Sequence, residues 1–385
     1  DAAAQRVRHR VAAVQLEGAV GIHECRLVVA DKGIEVAQDR VRAGVGSRVV
    51  DGKCPPRRLL AATQPVGRVL GTVGVNATQT PDFPRAADLI RARWQQAGGG
   101  PPIDGVFFVD PVAVSYLLRG TGPVPVPGSA PVTAANVVRK VENEIYVRTA
   151  TTVQQSDYQN AVAKAVFNAF ASGRGDTAES IRGLASATLE GRIRMHMFHD
   201  DDQAEIAGTM IAGEFIDRDS DEPLVGVYIN DAGPTKMQYY LQRSASLTSR
   251  SCLDERQELA GSLELVNATP PGADQLPDTV TGEFFPGNRT DPGEQILAIY
   301  LTSPRGGELV KLSIDGQQIA KPVVQSYADH DVATVGVLLE PGQETTIEFV
   351  MRSGTGQTAE PDLAVSPGAA PGSPNGSVRS ACDIR

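Results

Sequence analysis

The sequence is poor in aromatic residues and in positive charge. Phe, Trp and Tyr make up 5% of its 385 residues, with a single Trp. Because proteins that bind single-stranded nucleic acid stack the bases on aromatic side chains, this composition argues against that class. The 36 Lys and Arg are outnumbered by 46 Asp and Glu, which gives a formal net charge of −10. Binding to a phosphate backbone needs clustered positive charge, so we expect no nucleic-acid partner.

Long apolar runs and the common catalytic signatures are also missing. No stretch approaches 18 uninterrupted apolar residues, so we expect no transmembrane helix, and no secretory signal peptide is present. The chain begins with Asp1 rather than Met, and we interpret it as a fragment or a processed form. The sequence contains no P-loop, G-x-G-x-x-G, G-x-S-x-G or H-E-x-x-H motif. The chemistry must therefore be inferred from less specific patterns.

The four cysteines are Cys25, Cys54, Cys252 and Cys382, and no two of them form a C-x-x-C pair. This spacing excludes zinc-ribbon and thioredoxin-like sites. Cys252 precedes a strand-rich region and Cys382 lies at the end of the chain, so we favour a Cys252–Cys382 disulfide. The bond would tie the C-terminal tail to the last domain. The alternative is that both are buried thiols.

The charge is distributed unevenly, which suggests where the domains lie. Residues 1–75 carry twelve Lys and Arg against seven Asp and Glu, a net charge of +5, and residues 76–385 carry −15. We interpret 1–75 as a poorly patterned basic lead-in. It is either an arm that contacts an anionic polymer or membrane, or a stretch that is poorly ordered or not native sequence. From Ser353 onward Pro, Gly, Ser and Ala dominate, so we expect residues 353–385 to form a flexible tail.

Residues 76–250 mix strand and helix patterns, which predicts an α/β (α+β) domain. Buried strands are predicted at Ile103–Asp110 and Leu224–Ile229. Helices are predicted to begin at Asp82 or Pro81, after Pro111, at Thr133 or Asn136, at Ser156 or Asp157, at Asp176 and near Asp200–Asp202, the last running through Ile211. In residues 251–352 the hydrophobic pattern has a period of two, in short runs separated by Gly, Pro and Asp turns. This pattern predicts the short strands of an antiparallel β-sandwich. Its predicted strands are Leu259–Val266, Gln295–Leu301, Glu308–Ile314, Val332–Leu339 and Thr345–Met351.

Three candidate sites could carry chemistry. His196 and His199 precede the carboxylates Asp200–Asp202, and such side chains bind zinc or another divalent ion. The sequence offers no third protein ligand, and Asp residues at a helix start are ordinary caps. Asp110 is expected at the C-terminal end of a strand, where open α/β sheets place ligands, or else in a turn before Pro111.

Arg148 and Asp157 form a second candidate pair. An arginine can hold a phosphate with two hydrogen bonds, and an aspartate can orient a hydroxyl or hold a metal ion. The alternative is a surface arginine followed by a helix N-cap.

Several runs of the sequence together form a recognisable pattern, and they are Thr80–Ala87, Trp94, Asp104–Ala113, Leu117–Val124, Val225–Asp231, Lys236–Leu241, Cys252 and Leu276–Pro277. This pattern resembles an actinobacterial envelope family, the domain of unknown function (DUF) 4012 family. The resemblance covers about residues 76–350, and residues 1–75 do not resemble the membrane-anchored start that such proteins carry upstream. It implies a protein that is secreted or held on the extracellular face of the envelope. Contact with the membrane would be through an N-terminal anchor missing from this chain.

A more distant resemblance concerns the order of strand, helix, Tyr146-Val147-Arg148, Asp157 and helix. It is similar to the second half of the LytR-CpsA-Psr domain, whose enzymes transfer glycopolymers from a polyprenyl pyrophosphate lipid to peptidoglycan. The resemblance implies that Arg148 meets a pyrophosphate and that Asp157 supports it, with Asp110 nearby. A divalent cation such as magnesium would be needed only for phosphotransfer, and no other cofactor is expected.

These patterns lead to two hypotheses and a remote third. The first is an envelope protein that binds, and could transfer, a polyprenyl-phosphate-linked cell-wall glycan. The second is a non-catalytic binding or structural module of the envelope. The third is a metal-dependent hydrolase at His196 and His199. A pocket that gathers Arg148, Asp157 and Asp110 favours the first hypothesis, and scattered positions favour the second.

Overall fold

The computed structural model describes the chain in segments, which are residues 11–15, 59–60, 74–97, 100–149, 151–215, 221–233, 235–282, 290–373 and 375–383. Its helices are α1 (Phe83–Gln96), α2 (Pro111–Thr121), α3 (Val137–Arg139), α4 (Ile145–Arg148), α5 (Thr152–Ala171), α6 (Thr177–Leu189), α7 (Asp200–Ala204) and α8 (Asp278–Thr281). A π-turn, Lys140–Glu144, joins α3 to α4. Short 3-10 helices span Gly74–Gln79, Met210–Ala212, Met237–Tyr240, Ala273–Gln275 and Ala381–Asp383.

Fifteen strands are described. They are β1 (Val11–Gln15), β2 (Leu59–Leu60), β3 (Gly105–Val109), β4 (Ile193–Met197), β5 (Leu224–Asp231), β6 (Leu241–Leu253), β7 (Arg256–Asn267), β8 (Gln295–Thr302), β9 (Glu308–Ile314), β10 (Gln317–Gln318), β11 (Val323–Tyr327), β12 (His330–Leu339), β13 (Glu344–Arg352), β14 (Asp362–Val365) and β15 (Gly376–Ser377). The small sheet has the order β1-β3-β4, in which β1 is parallel to β3 and β4 is antiparallel to it.

The helical part begins where the sequence places the helix caps. Asp110 caps α2 by accepting a hydrogen bond from the backbone nitrogen of Ala113 at 2.7 Å, and Pro111 takes the first helical position. Asp176 caps α6 in the same way. The prediction that Ser156 or Asp157 begins a helix is wrong, because Thr151 caps α5 and both residues lie inside it.

One strand and one helix end differ from the sequence prediction. The sequence prediction places no strand between the helices that begin at Asp176 and near Asp200–Asp202, but β4 lies there and pairs with β3 along its whole length. The helix predicted through Ile211 ends at Ala204, and a separate turn of 3-10 helix follows. Gly208, with a φ of 73°, lies between them. Such a backbone conformation cannot continue a right-handed helix.

The C-terminal half is a sandwich of two mainly antiparallel sheets, and all five predicted strands are present. One sheet has the order β10-β9-β13-β7-β6, and the other has the order β11-β12-β8-β5-β14-β15, with β2 beside β12. Val225, Leu263, Leu297 and Phe349 come from both sheets and are buried in one apolar core. Strand alternation therefore predicted this region well, because each inward residue of a sandwich strand faces the same core.

The sandwich begins earlier in the sequence than expected. The boundary at residue 250 falls inside β6, which pairs with β7 over twelve residue pairs. β5 lies between β8 and β14 in the other sheet. The sheet pairing therefore places the first of these sandwich strands at Leu224, within the range assigned from sequence to the α/β domain.

The flexible tail predicted for residues 353–385 is wrong for the described part of that range. β14 pairs in parallel with β5, and β15 pairs with β14. The predicted Cys252–Cys382 disulfide is confirmed, with Cα atoms 5.0 Å apart. Cys25, Cys54 and most of the basic lead-in lie outside the described residues. Across the residues that could be searched, no helix is both long and apolar enough to cross a membrane.

Helices α2 and α6 pack so closely that glycine is required at their contact. A Cβ atom on Gly120 would lie 2.5 Å from the backbone nitrogen of Ser180 and 2.8 Å from the carbonyl oxygen of Asp176. Across the same contact, a Cβ atom on Gly183 would lie 2.8 Å from the carbonyl oxygen of Tyr116. Neither helix can move aside without disturbing the apolar residues beneath it.

We expect Gly120→Ala to lower the free energy of unfolding by about 1–3 kcal/mol, because overpacked cores relax only by shifting backbone. Chemical denaturation measures this change. Gly376→Ala is the matched control, since a Cβ atom there meets nothing within 4 Å. Equal stability of the two variants would show that the helices do not need this close approach.

Candidate functional site

Five charged residues from distant parts of the chain meet beside the sandwich, and we call them the Arg192 cluster. Its members are Asp110, Glu142, Glu190, Arg192 and Arg243. They come from the end of β3, the π-turn, the residues just before β4, and β6. Charged side chains are rarely buried unless they are paired, so such a group requires an explanation.

Arg192 is the centre of the cluster and is fully buried, with 0% of its surface exposed. Its Nη1 lies 2.7 Å from Oδ2 of Asp110, and its Nε lies 2.5 Å from Oε2 of Glu190. Burial by itself lowers the pKa of Arg192, but the two carboxylates outweigh that effect and raise it. Burial raises the pKa of Asp110, and Arg192 offsets part of that rise. Arg192 therefore stays charged inside the protein.

The C-terminal segment supplies the remaining partners of Arg192. We call residues 366–373 the strap, because they connect β14 to β15 across the cluster. Arg192 donates to the carbonyl oxygens of Gly368, Ala370 and Gly372 at 2.8, 2.6 and 2.9 Å. The backbone nitrogen of Gly372 in turn donates to Glu190 Oε2 at 3.1 Å. All the donors of this guanidinium are thus directed at groups of the protein itself.

Glu142 lies in the π-turn and is only partly exposed. Burial, followed by the charge of Asp110, raises the pKa of Glu142 to about 8, against the opposing effects of Arg192 and Arg243. Glu142 is therefore mostly protonated at neutral pH, and a protonated carboxyl group can donate a hydrogen bond. Single π-turns within α-helices occur often at functional sites, and this one places a carboxyl group within the electrostatic reach of two guanidinium groups.

Arg243 has no oppositely charged group in direct contact among the described residues, and the same is true of Glu142. Burial, with a contribution from the charge of Arg192, lowers the pKa of Arg243 to about 10. Its guanidinium lies against the backbone of Gly368, where a Cβ atom would overlap it. Within the part of the chain that the structure describes, Arg243 makes no hydrogen bond or ion pair. A partly buried cation without a partner can accept an anionic ligand.

The raised pKa of Glu142 makes a testable prediction about stability. The folded state holds this proton more tightly than the unfolded chain, so its contribution is lost as the pH rises from the ordinary value of 4.5 through about 8. Glu142→Gln removes the titration. We therefore expect the stability of this variant, relative to the unmodified protein, to improve from pH 5 to pH 9 by at least about 1.4 kcal/mol, the equivalent of one pKa unit.

Thermal or urea unfolding at a series of pH values tests this prediction. Glu205→Gln is the control at an exposed position on the same protein. A parallel dependence of Glu142→Gln and Glu205→Gln on pH would contradict the assigned proton on Glu142.

The structure places the three site residues predicted from sequence in different surroundings. Arg148 is the last residue of α4 and is exposed, and Asp157 is exposed on α5. Asp110 is directed inward, where it caps α2 and pairs with Arg192. Within the described residues the contacts of Asp110 include neither Arg148 nor Asp157. On α5 the buried polar side chain near Asp157 is that of Gln159, which donates a hydrogen bond to the hydroxyl of Tyr146 at 2.7 Å.

The histidine pair does not form a metal site within the described residues. His196 lies on β4 with its ring against Phe198, and His199 Nε2 lies 3.2 Å from Oδ1 of Asp104. Asp200–Asp202 form the first turn of α7, where negative charge is favoured by the helix dipole. The residues that could be searched contain no group of three or more His, Cys, Asp or Glu side chains suited to a metal ion.

Sequence reasoning missed Glu142, Glu190, Arg192 and Arg243. For Arg243 a signal existed, since Leu241, Ala245 and Leu247 occupy the alternate positions of β6 that face inward. Arg243 occupies one of the same alternate positions, so the strand pattern predicts that its charged side chain faces inward. For Arg192 there was none, because it precedes a strand that the sequence did not reveal.

Comparison with known proteins supports the family resemblance over part of the chain. Residues 28–146 match the family described as "Protein of unknown function (DUF4012)". The match begins before residue 76, so it includes residues of the basic lead-in that the resemblance from sequence left out. It includes Asp110 and Glu142 but ends before Arg192. No curated protein and no solved structure matches the chain. Residues 28–146 are therefore similar to the DUF4012 family of proteins of unknown function.

Proposed function

We propose that this chain is a non-catalytic binding module of the cell envelope that holds a polyprenyl-phosphate-linked glycan by its phosphate groups. The phosphate would contact Arg243 and the protonated carboxyl group of Glu142. The actinobacterial origin and the relation to the LytR-CpsA-Psr domain belong to this proposal, and so does a location on the extracellular face of the envelope or in the secreted fraction.

The observation that carries the proposal is the state of Arg243. Its guanidinium is mostly removed from water, yet no described residue provides it with a hydrogen bond or an ion pair. Leaving a cation in this condition is unfavourable, and a phosphate that accepts two hydrogen bonds from it would relieve the penalty. Glu142, neutral at pH 7, would add a donor rather than a repelling charge.

Binding without transfer is favoured by the positions of the residues that a transferase would need. Arg148 and Asp157 are exposed side chains on two helices, and Asp110 is engaged with Arg192. A general base or metal ligand must reach the reacting atoms, and Asp110 is held by α2 and Arg192 instead. These positions support the second of the two hypotheses drawn from sequence.

The disulfide supports the proposed location. Disulfides form and persist in oxidising compartments, such as the exterior of the cell, and are rare in the cytosol. Cys252 and Cys382 lie 130 residues apart and join β6 to the end of the described chain.

Calorimetric titration with geranyl pyrophosphate, a short polyprenyl pyrophosphate, tests the proposed site. We expect Arg243→Met to weaken binding at least tenfold, which corresponds to about 1.4 kcal/mol, because it removes the charge that meets the phosphate. Arg250→Met is the matched control, since Arg250 is exposed on the same strand, β6. Geraniol, which lacks the phosphates, should not bind.

Arg148→Ala distinguishes the two candidate sites. Unchanged affinity in this variant, together with weaker binding in Arg243→Met, would support the Arg192 cluster. If Arg148→Ala alone weakened binding, the phosphate would lie at the position inferred from the LytR-CpsA-Psr resemblance. If the unmodified protein did not bind geranyl pyrophosphate, the proposal would be wrong.

A further inference from the structure

A second polar site lies at one end of the sandwich. Three connections meet there, namely β8 to β9, the hairpin turn between β11 and β12, and the chain that follows β13. They enclose an open cavity of about 450 Å³, which we call the turn cavity. Its side chains include Arg305, Ser326, Asp329, Asp331, Thr355 and Gln357. The volume falls in the range of about 300–1,000 Å³ that small-molecule sites occupy.

The walls of the turn cavity are held in place by backbone contacts. The backbone nitrogen of Ser303 donates to the carbonyl oxygen of Asp331 at 2.8 Å, and that of Gly306 donates to Asp329 at 2.7 Å. Gly354 lies so close to Arg305 that a Cβ atom would overlap its carbonyl oxygen. The three connections therefore form one preorganised surface, so a ligand would not have to order them.

The side-chain amide of Gln357 offers the cavity a hydrogen-bond donor that no described residue uses. Gln357 is only 7% exposed, and its Oε1 accepts from the backbone nitrogen of Gly354 at 2.7 Å. Among the described residues its Nε2 donates to no group. Nε2 of Gln357 is not enclosed by protein, so this donor is available to water or to a ligand in the cavity. The hydroxyl groups of Ser326 and Thr355 are exposed at the same cavity.

The charges of the turn cavity select against an anion. Two carboxylates, those of Asp329 and Asp331, face one guanidinium, that of Arg305. Asp331 accepts a hydrogen bond from the backbone nitrogen of Leu309 through Oδ2, which leaves Oδ1 for another donor. The groups that remain are carboxylate acceptors, hydroxyls that both donate and accept, and one amide donor. Together they match a ligand whose neighbouring hydroxyl groups each donate and accept.

We propose that the turn cavity binds a neutral saccharide unit. This site is separate from the Arg192 cluster, and its chemistry is different: the cluster offers a cation for phosphate, and the cavity offers hydroxyls, carboxylates and an amide for sugar hydroxyls. A phosphate-linked glycan would present both kinds of group. The saccharide site does not depend on phosphate binding, and each can fail without the other.

Saturation-transfer NMR with cellobiose, maltose and lactose as probes tests the proposal on the full chain. We expect saturation transfer to at least one of the three, and a tenfold or greater loss of affinity in Ser326→Ala/Thr355→Val. Both substitutions are at exposed positions, so the fold should survive. The matched control is Ser251→Ala/Thr248→Val, two exposed residues of β6 outside the cavity. Gln357→Glu, which keeps the acceptor for Gly354 but removes the donor, should also weaken binding.

The outcomes separate the two sites. The turn cavity is supported if saccharide binding persists in Arg243→Met and is lost in Ser326→Ala/Thr355→Val. This result does not depend on whether the protein binds geranyl pyrophosphate. No saturation transfer from any of the three probes, or equal transfer in the cavity and control double variants, overturns the proposal. Loss of saccharide binding in Arg243→Met, with the cavity variant unaffected, would move the sugar to the Arg192 cluster and overturn it as well.

Discussion

Arg192→Leu should lower the free energy of unfolding by about 3–5 kcal/mol, the range found when one partner of a buried ion pair is removed. The substitution leaves Asp110 and Glu190 without the cation that compensates their charges. It also leaves the carbonyl oxygens of Gly368, Ala370 and Gly372 without a donor. Urea denaturation measures the change.

The matched control for Arg192→Leu is Arg182→Leu. Arg182 pairs with Glu179 on α6, but 66% of its side chain is exposed. Surface pairs of this kind contribute about 0–1 kcal/mol, so we expect little change. Arg192→Lys should recover only part of the loss, because an ammonium group cannot reach two carboxylates and three carbonyls in the fixed geometry of a guanidinium.

Hydrogen exchange gives a second, local test of the role of Arg192. The backbone amide of Gly372 donates to the hydroxyl of Tyr116 and to Glu190, and both acceptors lie beside Arg192. In Arg192→Leu we expect this amide to exchange faster than in the unmodified protein. Unchanged protection of the strap would show that β14 and β15 hold it without Arg192.

Cys252→Ser/Cys382→Ser should lower the free energy of unfolding by about 2–5 kcal/mol. The disulfide joins residues 130 apart, and a loop of this length restricts the unfolded chain strongly. Two hydrogen bonds near Cys382 would remain in the variant, from Ser380 to the carbonyl oxygen of Thr358 and from Ala381 to Ser249. Because these bonds remain, we expect the chain end to stay attached in the folded variant. The effect of the substitution should therefore appear in the free energy of global unfolding.

The double variant is a cleaner test than a reducing agent, because Cys25 and Cys54 are also present in the chain. Thermal unfolding of the unmodified protein should respond to dithiothreitol by about the same amount as the double substitution. The variant itself should not respond. A loss below about 1 kcal/mol would mean that the unfolded chain is already restricted in this region or that the bond strains the folded state.

Local signals in the sequence were sufficient for much of the fold. Asp110 and Asp176 each precede a helix at the expected position, because a cap acts on backbone groups two or three residues away. The sandwich strands were found because alternation of buried and exposed residues repeats over a few positions. The disulfide was predicted from the positions of the cysteines at the two ends of the strand-rich region.

Two of the errors share one physical cause, which is dependence on distant partners. The tail looked flexible because Pro, Gly and Ser are typical of linkers, yet its order comes from β5, from Cys252 and from Arg192. β4 was missed because a five-residue strand is stabilised by pairing with β3, more than 80 residues earlier. Neither partner is visible in a local window of sequence.

The candidate site divides in the same way. The sequence by itself determined that the chain has caps, strands, an acidic balance and no common catalytic motif, since each of these depends on composition or on nearby residues. Only the tertiary structure decided that Asp110 meets Arg192, 82 residues away, and that the strap meets the same guanidinium from 180 residues away. The reason is that an ion pair or a cavity depends on which side chains the folded backbone brings together, and the energy of burying a charge depends on all of its neighbours at once.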